Sequence, residues 1–427
     1  MLKQTIANKK IEIIVYISMG MLYFFSFFQR TGIPGTIFNQ LQSDLKCSAA
    51  QITMLGACYL YVYAFMQPFI GVIADRFGGF KIISIGGVLL TIASIVFPLL
   101  NNISLLYICR IFIGFSGAFM YLSIVRELNN LFSSRHFTML YSITLFFGNL
   151  GWLASASPLA YASDIMGWRG ALLLVGFLTA IPLIFILLFT KKLKEKTTKP
   201  SEISFAILKK SLSNRYIWAP MLALMFNYTV FFIVTSIIGK KFLEDVAALA
   251  SQRAAFYISI ATVAGIIMIL LSGFVSKWCN NRRRIPAIIA TSLTFIATIL
   301  SIIGIAGNFP SYFYLFLLII FATASGACTF FVSAIIEVCS PKVIALTLGL
   351  CNTAVYVSIA FAGNICGWML DLFTDQAEKT ATTTIYPPQA YIIIFTVLAV
   401  LTLMAIILST FIKESRGLNI ADKLGIK

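Results

Sequence analysis

The chain has 427 residues, of which 59% are hydrophobic and 11% charged, with a formal net charge of +17. Soluble domains carry about 25% charged residues, and a chain of this size could not cover a water-facing surface with so few. The positive charge sits between long apolar runs, which suits a membrane surface and excludes nucleic-acid binding as the reason for it.

Runs of about 20 apolar residues match the length of helix that crosses a ~30 Å hydrocarbon core. Backbone groups must be satisfied inside each segment there, and the runs are too long for barrel strands. The expected fold class is therefore an all-α membrane protein with twelve transmembrane helices. They are expected at 12–36, 48–74, 80–99, 103–126, 137–162, 170–190, 215–239, 252–276, 285–306, 311–337, 342–370 and 389–412. Lys3, Lys9 and Lys10 before the first span imitate a signal peptide, but no small-residue cleavage pattern follows, so the span is kept.

Placing the N-terminus in the cytoplasm puts 24 of the 32 Lys and Arg on that side and 6 opposite, with Arg30 and Arg110 inside spans. This asymmetry predicts cytoplasmic termini. The eight cysteines show no metal or disulfide spacing, and the lone His136 leaves no histidine relay. No cofactor is expected.

In span one, Tyr23, Phe27 and Arg30 share a face, and Gly32, Pro34 and Gly35 permit a break beyond it. An intramembrane arginine is a functional candidate. Arg30 either grips a carboxylate or phosphate on a cavity wall or snorkels and bridges helices. Span two puts Tyr59, Tyr63 and Gln67 on one side. The turn after it reads Gly71-x-x-x-Asp75-Arg76-x-Gly78-Gly79-x-Lys81. Span four carries Arg110 on a stripe with Gly114, Gly117 and Tyr121 and ends in Arg126-Glu127; small residues there allow close helix approach. Span five carries Gly148-Asn149-Leu-Gly151-Trp152.

A basic stretch, 191–214, separates six spans (1–190) from six (215–427), and Ser201–Lys210 within it has the pattern of a short amphipathic surface helix. In the second half, Asn227 with Phe231 and Thr235, and Asn352 with Tyr356, form polar faces. Ser325, Thr329, Ser333 and Glu337 form a row on span ten. Gly363-Asn364-x-x-Gly367-Trp368 repeats the pattern of span five, and Glu337 repeats Glu127, as duplicated halves would leave them.

The six-plus-six arrangement, the linker and the Gly71–Lys81 motif resemble the major facilitator superfamily. Arg110-x-x-x-Gly114-x-x-Gly117 is similar to its second common motif, and Gly167-Trp168-Arg169 is another familiar punctuation. The Arg30–Gly35 and Tyr59–Gln67 segments look like those of nutrient and siderophore importers of intracellular bacteria. Departures are Gly79 for a basic residue, Lys277 for an acid, and Ser157-Pro158 lying well after Gly151. The resemblance implies two pseudo-symmetric six-helix halves rocking about a central site. It assigns Asp75 to the start of span eleven near Pro341–Val343. Asp75, Arg76, Lys81, Arg110, Arg126, Glu127 and Glu337 are then the gating and coupling candidates. Arg30, Tyr23, Tyr59, Tyr63, Tyr121, Asn149, Trp152, Asn227, Asn352 and Tyr356 are the substrate-binding candidates.

The expected function is secondary active uptake of a small organic anion or zwitterion across a bacterial inner membrane, as a monomer in the lipid bilayer. Protons are the expected coupling ion. No phosphate-binding glycine loop points to ATP. Alternatives are an exporter of drugs or a siderophore on the same fold, or a receptor or enzyme that does not transport. An enzyme would need clustered His, Cys or carboxylates, which the sequence lacks.

Overall fold

The computed structural model describes residues 2–132, 134–193, 212–340, 343–380 and 382–424. The expected surface helix Ser201–Lys210, Pro341 and the side chain of Asp75 lie outside the described part. Among the described residues eleven helices are long and apolar enough to cross a membrane, and Met139–Ala154 adds a shorter apolar one. The protein is a multi-pass, all-α membrane protein.

The chain forms two compact units, residues 1–33 with 58–203 and residues 34–57 with 204–427. In the first, α1 (Leu2–Gly32) packs on α5 (Ile103–Leu131), α6 (Ser134–Ala154) and α7 (Ser157–Phe189), while α4 (Gly79–Val96) packs on α5 and α7. The end of α3 (Ala49–Phe77) completes this unit.

The second unit contains the short α2 (Phe38–Leu45) and the start of α3. It continues with α8 (Arg215–Phe232), α9 (Gly239–Asp245), α10 (Ser251–Trp278), α11 (Arg284–Ala306), α12 (Ser311–Phe321) and α13 (Thr323–Glu337). Then come α14 (Ile344–Asp371), a two-residue antiparallel pair, β1 (Glu378–Lys379) and β2 (Thr384–Ile385), and α15 (Pro388–Thr410). Here α8 packs on α13, α14 and α15, and α11 on α13 and α15. These five helix pairings of the first unit recur when α1, α4, α5, α6 and α7 are matched with α8, α11, α13, α14 and α15. This is the duplicated six-helix architecture.

Three expected spans are differently built. The fifth, expected at 137–162, stops at Ala154; α7 begins at Ser157 and runs through a kink at Gly167, φ 71° and ψ 160°. Pro158 explains the stop: it has no N–H, and its ring excludes a helical carbonyl four residues back. The seventh ends α8 at Phe232 and continues as a π-turn, Ile233–Ile237, into α9, so residues 240–245 are helical instead of outer loop. The tenth is broken between α12 and α13 at Ala322.

Within the second unit, residues 34–57 are closely fitted. A Cβ on Gly35 would fall on the Ser236 carbonyl, and one on Gly367 would meet Thr53 and come within 2.9 Å of the Ala49 oxygen. The Asp371 carboxylate at the end of α14 accepts from the Ala49 and Ala50 N–H groups at 2.7 and 3.0 Å. A carboxylate at a helix N-terminus satisfies orphan donors and opposes the helix dipole favourably.

Candidate functional site

Tyr23, Phe27 and Arg30 share a face of α1, and since the helix ends at Gly32, Arg30 lies in its last turn. A cation is favoured there by the partial negative end of the helix. The Arg30 side chain is buried, its guanidinium carbon 3.6 Å from the Phe27 ring centroid and 5.5 Å from that of Tyr63 on α3. Such stacking orients a guanidinium while leaving its in-plane donors directional. Tyr63 stacks on Tyr59 with centroids 5.9 Å apart. On the other side Tyr23 stacks on Tyr121 of α5 at 6.0 Å, and the Tyr121 hydroxyl meets that of Tyr141 on α6 at 2.6 Å. Three helices thus bring Arg30, Tyr23, Tyr59, Tyr63 and Tyr121 into one aromatic group, and α6 adds Tyr141. Gly148 lets α6 close on it, since a Cβ there would sit 2.8 Å from Tyr23.

Arg110 does something different. It is fully buried and donates to the carbonyls of Gln29 at 2.9 Å and Ile33 at 3.3 Å, the end of α1, with the Tyr59 ring 5.1 Å away. It therefore caps the helix that carries Arg30. Its neighbours Gly114 and Gly117 are required by Tyr59, whose backbone oxygen would lie 2.6 Å from a Cβ at Gly114. Trp152 is buried near the end of α6. Asn149 is half-buried, its amide donating to its own helix at Leu145.

In the second unit Asn227 on α8 is buried, and its side-chain oxygen accepts no hydrogen bond among the described residues. Asn352 and Tyr356 are half-buried on α14. The span-ten row is only partly a polar face: Ser325 is buried and donates to the Gly265 carbonyl of α10 at 2.9 Å, a helix-to-helix bond.

Each of the two span-end glutamates is paired with an arginine, Glu127 within its own helix and Glu337 with the residue before α11. Glu127 is fully buried; its carboxylate accepts from Arg126 at 2.7 Å and from Asn130 at 3.1 Å. It lies against the start of α4, where a Cβ on Gly79 would collide with it. Glycine in place of the usual basic residue makes room for that carboxylate. In the second unit Glu337 takes Arg283, the residue before α11, through Nε at 3.0 Å and Nη2 at 2.7 Å, with Ser415 completing the set. Arg76 and Lys81 are exposed and flank the ring of Phe77.

Sequence reasoning missed a buried ionic cluster in the second unit. Lys241 pairs with Asp245 at 2.6 Å and also donates to the Thr384 carbonyl. Asp245 accepts from the Tyr391 hydroxyl at 2.6 Å and the Tyr386 N–H at 3.1 Å. Lys240 pairs with Glu244 at 2.6 Å, and Glu244 accepts from Asn39 at 2.8 Å. Gln42 donates to the Tyr386 hydroxyl at 2.8 Å. Burial drives the Asp245 carboxyl up and the Lys241 ammonium down, each opposed by the partner charge; burial likewise pushes the Tyr386 phenol to about 12. The i, i+4 spacing in Lys-Lys-Phe-Leu-Glu-Asp was the available signal.

No three His, Cys, Asp or Glu side chains among the described residues are grouped to hold a metal. The arrangement is one of helices, buried cations and aromatic rings.

The sequence profile of the Major Facilitator Superfamily matches residues 19–363. A probable hexose phosphate transport protein of Chlamydia trachomatis is 24% identical over 68% of this chain and 70% of its own length. Human monocarboxylate transporter 7 is 26% identical over 35% of this chain and 29% of its own. Among solved structures, a bacterial homologue of the human lysosomal transporter Spinster, inward-facing and unoccupied, has a TM-score of 0.75 at 15% identity, covering 94% of this chain and 98% of that one. A variant of the nucleoside transporter NupG has a TM-score of 0.71 at 16% identity, over 93% of this chain and 100% of that one. With a profile match over most of its length on a duplicated six-helix architecture, this chain is a small-molecule transporter that belongs to the major facilitator superfamily.

Proposed function

We propose that the protein is a secondary active transporter that takes up a small organic anion or zwitterion across a bacterial inner membrane, with protons as the coupling ion. A sugar phosphate is the first candidate within that class, because the Chlamydia relatives are described as probable hexose phosphate transport proteins. The observation that carries the reading is Arg30, buried and stacked on Phe27 and Tyr63. A guanidinium so oriented matches a carboxylate or phosphate bidentately, and a cationic substrate would meet its field at low dielectric. Tyr23, Tyr59 and Tyr121 would face the rest of the solute, with Asn149, Trp152, Asn227, Asn352 and Tyr356 as further contacts.

In this reading residues 1–190 and 215–427 are the moving halves, joined by the 191–214 linker, with both termini cytoplasmic. Asp75, Arg76 and Lys81 act at the cytoplasmic turn. Glu127 and Glu337 are the proton-coupling candidates, bonded to Arg126 and Arg283 at the helix ends they hold. Arg110 holds the end of α1 in register for Arg30.

Uptake of radiolabelled glucose 6-phosphate, lactate and uridine into proteoliposomes, with and without an inward proton gradient, tests this. Saturable, gradient-dependent uptake of an anion that vanishes in Arg30→Gln is the expected result. Uptake of only the neutral nucleoside, or undiminished anion uptake by Arg30→Gln, would overturn it.

A further inference from the structure

The loop between α10 and α11 and the tail after α15 are bonded into one bracket on the linker side of the second unit. The loop turns on Asn280 and Asn281, both left-handed at φ 53° and 54°, and Asn281 N–H returns to the Ser276 carbonyl at 2.8 Å. The tail is fastened to it: Glu414 accepts from the N–H groups of Arg283 and Arg284 at 3.1 and 2.7 Å, which caps α11. Ser415 reaches Glu337, itself bound to Arg283, and a Cβ on Gly417 would touch Asn281 at 3.3 Å. Of the tail's two acids, Glu414 is therefore spent on internal bonds, as is Glu337 of α13, while Asp422 is exposed further along.

The bracket's cations are not so spent. Lys277, Arg282, Arg284, Lys413 and Arg416 are exposed, and none carries a salt bridge among the described residues. Beside them, where α10 and α15 end, Trp278 is 87% and Phe411 71% exposed. A large indole at the end of a spanning helix is the side chain that settles at the headgroup level of a bilayer. A soluble anion would leave those rings bare, whereas a phospholipid covers them with its glycerol and acyl portion and presents its phosphodiester to the arginines.

We propose that this bracket is a binding site for anionic phospholipid headgroups, with Arg282 and Arg416 as its principal phosphate contacts. General attraction of basic loops to an anionic leaflet needs no fixed geometry; here the turn, the Glu414 cap and the Ser415–Glu337 contact hold the cations in place before any lipid arrives.

The test uses the purified full chain in neutral detergent, with lipid binding followed by native mass spectrometry and by thermal shift. The probes are phosphatidylglycerol, cardiolipin, phosphatidylcholine and inorganic phosphate. The anionic lipids should bind saturably and raise the melting temperature; phosphatidylcholine and millimolar phosphate should not. Arg282→Gln with Arg416→Gln should weaken that binding roughly tenfold or more. Removing two exposed cations of the first unit, Lys10→Gln with Lys191→Gln, should change it less than twofold. Both target arginines are exposed, so the lipid-free melting temperature should be unchanged, and Arg282→Lys with Arg416→Lys should retain part of the binding. Equal binding of phosphatidylcholine, equal protection by phosphate, or equal loss in the control variant overturns the proposal.

Discussion

Lys241 Nζ lies 2.6 Å from Asp245 Oδ1, and neither side chain is more than 1% exposed. The pair spans one turn of α9 and ties it to β2 and α15 through Thr384, Tyr386 and Tyr391. Desolvating two charges is costly, and the attraction between them offsets this only while both are present. Lys241→Ala should therefore destabilise the protein by about 3–5 kcal/mol, because Asp245 is left charged and buried. The double change Lys241→Met with Asp245→Leu should recover most of that loss. Thermal unfolding in detergent checks both; a double variant as unstable as the single one would show that the bonds of Asp245 to Tyr386 and Tyr391 matter more than the ion pair.

Arg30 and Arg110 should separate by phenotype. Arg110 supplies the hydrogen bonds that satisfy Gln29 and Ile33, so Arg110→Ala should cost about 1–3 kcal/mol of stability through the buried carbonyls it leaves. Arg30→Gln should leave the melting temperature within a few degrees of wild type and abolish saturable uptake. Equal loss of stability in both variants would mean that Arg30 is a packing residue.

Gly79→Ala should interfere with Glu127, whose carboxylate occupies the space a methyl group would take. The buried carboxylate must shift and loosen its bonds to Arg126 and Asn130, a loss of about 1–3 kcal/mol. Combining Gly79→Ala with Glu127→Ala should be less than additive, since the second change removes the collision. Strict additivity in thermal melts would place the strain elsewhere.

Glu337→Gln keeps the size of the side chain but removes the charge facing Arg283. It should slow transport and destabilise the end of α13 together, because Arg283 and Ser415 both converge on that carboxylate. Arg283→Lys should do the same more mildly by losing the two-point grip. Hydrogen exchange over residues 331–340 reads the local effect; unchanged protection there would rule out Glu337 as the anchor of the tail.

Much of the fold was legible in the sequence because a bilayer admits few solutions. Apolar length alone specified helices and their number, the break at Gly32–Pro34 was written in residue chemistry while the one before Pro158 was not foreseen, and the recurrent Gly-Asn and Glu127/Glu337 positions revealed the duplication. The aromatic face of α1 around Arg30 was also legible, since helical periodicity fixes which side chains share a side. Tertiary structure decided what periodicity does not encode. Arg110 became a cap on α1 only because α5 packs on α1, with Gly114 and Gly117 making room for Tyr59 of α3. Lys240 and Lys241, which composition placed in an outer loop, became buried because a π-turn carries the helix onward and Glu244 and Asp245 fall one turn away. Whether a charge meets water, a ring or an opposite charge depends on neighbours distant in sequence, and only the packed helices bring those neighbours into contact.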